Sequence, residues 1–143
     1  MKLNTTELPG YYIFRIAHNL RLLHDEELNS WELTSSQWKV LKCLWNKDGI
    51  TQKEISNSMN IKPSSLTKLI DILEKKDMVI RKYDSSDARA KLIFLTEKGI
   101  SLEQKSCEII KSLESTLIKG LDDTEANEFL RLLKIANKNV TLD

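Results

Sequence analysis

Residues 62–68 read Lys62-Pro63-Ser64-Ser65-Leu66-Thr67-Lys68, two cations and three hydroxyls gathered where a new helix would start. A helix N-terminus offers unpaired amides, and short hydroxyls with ammonium groups beside them suit phosphate oxygens and base edges. A second group, Arg81, Asp87, Arg89 and Lys91, lies around a polar stretch between two apolar segments, and Thr51-Gln52 opens a short helix upstream. From Lys62 to Lys91 eight basic residues stand against five acidic ones, a segment charge of +3 in a chain of net charge +1, so the remainder sums to −2. This uneven placement marks the segment as a nucleic-acid face, although a solvated helix and a charged hairpin would give a similar imbalance. Two roles stay open from sequence. Asp87 reads either as a turn former or as an acceptor that fixes Arg81 or Arg89. Ser64 reads either as a contact or as a cap on its own helix.

Other chemistries fare worse. No glycine-rich phosphate loop and no nucleophile or metal constellation is present, which argues against an enzyme and implies no cofactor. His18 and His24 are six residues apart, roughly 120° around a helix, so one metal ion cannot easily use both. Cys43 and Cys107 have no CxxC pairing, fit a reducing compartment, and are expected as buried thiols. No apolar run reaches the ~20 residues of a membrane span, and MKLNTTELPG lacks the apolar core of a secretory signal, so a cytoplasmic location is expected. Trp38 and Trp45, seven residues apart on one helix face, are expected in a core or interface.

The elements that must position these residues follow from capping and periodicity. The 143 residues, 41% hydrophobic and 30% charged with four glycines and two prolines, suit one helix-rich core. Ile13, Ile16, Ala17, Leu20 and Leu23 form a helical stripe over residues 11–28. Thr34 with Gln37, and Thr51 with Glu54, have capping-box spacing; Trp38, Leu41 and Leu44 follow the first, Ile55 and Met59 the second. Asn60 breaks the second of these helices, and Pro63 begins the next, with Leu66, Leu69, Ile70 and Leu73 as its buried stripe. Residues 78–83 and 91–95 form a hairpin with an exposed tip. Thr96 caps a long helix, and Asp122 lies at the opening of a last one carrying Phe129, Leu130, Leu133 and Ile135. The order is helix, turn, helix, then ribbon.

Five strings in that order, Leu33-Thr-x-x-Gln37, Thr51-Gln-x-Glu-Ile55, Pro63-Ser-Ser-Leu-Thr67, Leu73-Glu-Lys-Lys76 and Asp87-x-Arg-x-Lys-x-Ile-x-Leu-Thr-x-Lys-Gly99, resemble the MarR family of bacterial and archaeal transcription regulators. The likeness spans residues 11–138. It implies a mainly α protein with a small β-hairpin wing: one winged helix-turn-helix domain over 1–143, a DNA-binding lobe over 34–95, and dimerisation helices at 11–30 and 100–138. It further implies a cytoplasmic homodimer, a repressor on a pseudo-palindromic operator, with the helix over 63–76 in the major groove and Arg89 in the adjacent minor groove. In members of that family a small aromatic or anionic effector often binds between the lobes, and Tyr11, Arg15, His18, Trp31 and Trp38 are the residues placed to line such a crevice here. A winged helix used only as a protein-interaction module is the alternative. Asp77 stands where the family has glycine, and Ala88 where a second wing arginine is common. The first helix lacks the reactive cysteine of the family's hydroperoxide sensors.

Overall fold

The computed structural model describes residues 2–87 and 89–142; Ala88, which stands where a second wing arginine is common, lies outside them. The chain divides into two compact units, Met1–Ile110 and Lys111–Asp143. In the first, a 3-10 turn at Thr5–Glu7 precedes α1 (Pro9–Asn29), α2 (Ser35–Asn46), β1 (Ile50–Thr51), α3 (Gln52–Met59), α4 (Pro63–Lys75), β2 (Val79–Tyr83) and β3 (Lys91–Leu95). Next comes α5 (Glu97–Leu117), whose C-terminal end belongs to the second unit with α6 (Asp123–Val140).

The capping signals are realised. Thr34, Thr51 and Asp122 each accept from the backbone N–H three residues on, and Gln37, Glu54 and Glu125 return the bond to the cap residue's N–H. Thr96 Oγ1 accepts from the Gly99 N–H at 3.1 Å and opens α5. Three helices end on a left-handed residue that is not glycine: Glu32, Asn60 and Asp77 have φ of 56°, 52° and 58°. At each end the following amide reaches back five residues, Leu33 to Leu28, Ile61 to Ser56 and Met78 to Leu73, and so closes the last turn. Asp77 thus adopts the conformation that glycine would supply.

The sheet is three-stranded, order β1-β3-β2 and antiparallel, rather than the expected two-stranded hairpin. Ile50 pairs with Ile93 and Thr51 with Leu92, while Val79 to Tyr83 run against Leu95 to Lys91. Two residues are too few to show alternation, so β1 had no sequence signature. It matters because it fixes the start of α3 against the root of the wing.

The core of the first unit gathers Leu28, Leu33, Val40, Leu41, Leu44, Ile55, Leu66, Ile70, Leu73, Val79 and Ile93. Both α2 tryptophans are tied to α5: Trp38 Nε1 donates to Ser106 Oγ at 2.8 Å and Trp45 Nε1 to the Gly99 carbonyl at 2.9 Å. Gly99 is required there, because a Cβ would stand 2.2 Å from the Met78 carbonyl oxygen. Neither cysteine is fully buried. Cys43 is half-buried and Cys107 exposed; the buried positions of α5 include Leu102, Ser106 and Ile109, and Cys107 is turned about 100° from Ser106.

Candidate nucleic-acid interface

α4 carries its apolar stripe, Leu66, Ile70 and Leu73, inward. That rotation leaves Lys62, Pro63, Ser64, Ser65, Thr67 and Lys68 exposed at its N-terminal end. Lys62 occupies the cap position and no side chain caps the amides behind it, so Ser64 does not serve its own helix as a cap. Thr67 Oγ1 donates to the Pro63 carbonyl at 3.0 Å.

The wing is shaped by two aspartates. Asp84 Oδ1 accepts from the Ser86 amide at 3.0 Å and its hydroxyl at 2.8 Å, bonds that hold the Asp84 carboxyl below its ordinary pKa. Asp87 Oδ1 accepts from the Arg89 amide at 3.0 Å. This is the turn-forming role, with the carboxylate bonded to backbone two residues on. Below the tip, Asp84 N–H bonds the Ala90 carbonyl at 3.0 Å and Tyr83 pairs with Lys91, so Arg89 and Lys91 project from a closed ribbon and are exposed.

Between wing and α3 lies an open cleft of about 400 Å³ lined by Thr51, Gln52, Lys53, Asp87, Arg89, Ala90 and Lys91. Five of the residues singled out in sequence therefore meet at one place, with Lys53 and Ala90 added to them. The N-terminus of α3 opens beside it. There the Thr51 amide donates to Glu54 Oε2 at 2.8 Å, and that bond pulls the Glu54 pKa down.

Arg81 departs from the group. Its side chain is 18% exposed, and its guanidinium is bonded to Asp71 and Glu74 of α4 and to Gln52 of α3. Asp87 is not the carboxylate that holds it. Asp71 and Glu74 were missed as partners, although their three-residue spacing, one turn beyond Thr67, places them on the α4 face nearest the wing strand.

The five residues expected to line an effector crevice are spread over α1, the turn that follows it and α2. Arg15 donates to Tyr11 Oη at 3.2 Å on an outer stretch of α1, and His18 is exposed. Trp31 packs on the core, and the Trp38 N–H is spent on Ser106. Of the five, Trp38 lines a described cavity, about 380 Å³ between α2 and α3, in the company of Lys39, Lys42, Cys43, Asn46, Ser58 and Met59. Among the described residues no three His, Cys, Asp or Glu side chains are grouped to hold a metal ion, and no helix is long and apolar enough to cross a membrane.

A helix-turn-helix followed by a two-stranded wing that β1 braces, with α4 exposed at its N-terminal end, defines a winged helix. The MarR family model matches residues 33–91. Likeness to solved structures extends over nearly the whole chain. A MarR transcriptional regulator from Methanosarcina mazei is 27% identical over 91% of this chain and 94% of its own, with a TM-score of 0.76. MepR, a transcription regulator of the Staphylococcus aureus multidrug efflux pump MepA, is 26% identical over 94% and 99%, with a TM-score of 0.84. A structure of the S. aureus MepR–DNA complex is 27% identical over 93% and 98%, with a TM-score of 0.74. Residues 33–91 thus match the MarR family, and the fold over nearly the whole chain is that of the MarR-family regulators it resembles.

Proposed function

We propose that this protein is a sequence-specific DNA-binding transcription regulator, not an enzyme, acting in the cytoplasm as a homodimeric repressor on a pseudo-palindromic operator. The observation that carries the reading is that one lobe exposes both an uncapped, hydroxyl-rich α4 N-terminus and a cationic wing, which faces the start of α3 across the Thr51–Arg89 cleft. Ser64, Ser65, Thr67 and Lys68 would face the major groove. Lys62, Thr51, Gln52 and Lys91 would hold phosphates, and Arg89 would enter the minor groove, where a narrow A·T-rich tract concentrates negative potential. MepR, similar over most of its length, has been crystallised with DNA.

The dimer rests on surface chemistry. α6 buries no residue within its protomer although Phe129, Leu130, Leu133 and Ile135 recur along it, and Phe14 of α1 is 80% exposed. Apolar stripes of that extent call for a covering surface, and a second copy supplies one with two-fold symmetry to match the operator. Release by a small aromatic or anionic effector is the regulation that family likeness implies, and it requires unequal affinity for two lobe arrangements. Screening aromatic acids for loss of operator binding tests it.

The decisive experiment selects bound duplexes from random DNA and titrates the winner across a salt series. Six or more phosphate contacts would lower affinity by about 10³-fold or more between roughly 50 and 200 mM salt. Arg89→Ala should cost about 1–3 kcal/mol on that duplex. A flat, weak response with no enriched sequence would overturn the regulator and favour a winged helix that docks a protein partner.

A further inference from the structure

Arg81 stands on the strand that leads into the wing, yet its side chain runs back toward the helices. Nη2 lies 2.7 Å from Asp71 Oδ1 and donates to the Thr67 carbonyl at 3.3 Å. Nη1 donates to Glu74 Oε1 at 3.2 Å, and Nε donates to Gln52 Oε1 at 3.3 Å. The Arg81 backbone N–H adds a bond to Glu74 Oε2 at 3.3 Å. One residue thus joins β2 to two turns of α4 and to the first residue of α3. Only a planar fork with five N–H donors can meet acceptors in that many directions; an ammonium offers a point charge.

Two effects follow for the surface proposed to meet DNA. Gln52 spends its carbonyl oxygen on Arg81, which turns its Nε2 toward Thr67 Oγ1 at 3.4 Å and gives both side chains a set orientation. Asp71 and Glu74, with side chains 51% and 42% exposed, are two carboxylates on the helix meant to approach a polyanion. Arg81 compensates them. We infer that Arg81 is a positioning residue, which sets the wing against α4 and screens Asp71 and Glu74 from phosphate without itself touching DNA. This deepens the DNA-binding reading and rests on it.

The test is a mutant cycle read by anisotropy on a labelled duplex recovered by selection with the wild-type protein. Arg81→Ala should weaken binding about tenfold or more, equivalent to ~1.4 kcal/mol. Adding Asp71→Asn with Glu74→Gln should recover several-fold in the Arg81→Ala background and gain little in the wild type, where the charges are already compensated. If Arg81 instead leaves the carboxylates to contact DNA, they stand unpaired in either background, and the same gain in both would overturn the inference. Arg81→Lys should restore only part of the loss; full restoration would discard the fork. A second measurement needs no DNA. Hydrogen exchange at the Lys82 and Leu92 amides should quicken in Arg81→Ala while Val79 and Ile93 keep their protection, and unchanged wing exchange would overturn the positioning role. Should Arg81→Ala fail to fold, Arg81→Gln carries the same comparisons. If the wild-type protein selects no duplex, the regulator reading fails while the exchange experiment still decides whether Arg81 sets the wing.

Discussion

α4 and α6 are amphipathic helices of similar pattern with opposite fates. α4 buries Leu66, Ile70 and Leu73, which are at most 1% exposed, against α2, α3 and the sheet. α6 buries none of its residues, and Leu130, Leu132 and Ile135 are each about half exposed. The helical period by itself says that a face is apolar, not what covers it. Where the covering surface lies within the protomer, the helix is held rigidly enough to present side chains to a groove. Where it does not, the exposed face can join chains.

This contrast can be broken or sharpened by substitution. The largest effect is expected at Ile70→Ala, which should lose about 2–5 kcal/mol of stability because the fully buried side chain leaves a cavity. Its melting temperature should fall by the same amount at every protein concentration. Ile135→Ala should be nearly silent at concentrations where protomers are separate, within about 0.5 kcal/mol, and destabilising only where they associate. Equal losses in both regimes would mean that Ile135 is covered by its own chain. Leu130→Asp with Ile135→Asp should convert a sedimenting dimer of the 16.5 kDa chain into monomers. Operator affinity should then drop by about two orders of magnitude, since each half-site must be bound alone; dimers that persist would move the interface elsewhere.

The smallest effect concerns pH. His24 packs edge-on against Trp38 with ring centroids 4.5 Å apart, and burial lowers its pKa below the ordinary 6.5; Asp25 opposes the shift and Lys42 adds to it. The unfolded chain therefore binds the proton more readily. His24 contributes stability above pH ~6.5 that is lost as pH falls through its folded value. A melting series from about pH 7.5 to 5.5 should show this loss, and His24→Gln should flatten it; an unaltered slope would exclude His24 as its source.

Much of the interface was legible because its determinants are local. Capping boxes at Thr51 and Thr34, the left-handed Asn60, and the period of Leu66, Ile70 and Leu73 each involve residues within two turns, so spacing alone reveals them. That period also placed Ser65 and Lys68 outward. The Asp77 departure was equally local, since an aspartate tolerates a positive φ at a helix end. What remained hidden spans long separations. β1 is two residues long and exists through pairing with Leu92 and Ile93, some forty positions away.

Partners far along the chain were likewise out of view. Counted as a cation, Arg81 belonged with the wing's other charges, and nothing nearby announced that Asp71, Glu74 and Gln52 would surround it. The chain's own residues thus determined which segments are helical, where each begins, and which face of α4 carries hydroxyls and cations, because backbone capping and side-chain period act over a few residues. Only the tertiary structure decided which cation is free and which is clamped, which strand braces the wing, and which apolar face stays uncovered, because those depend on groups that meet only when distant segments pack.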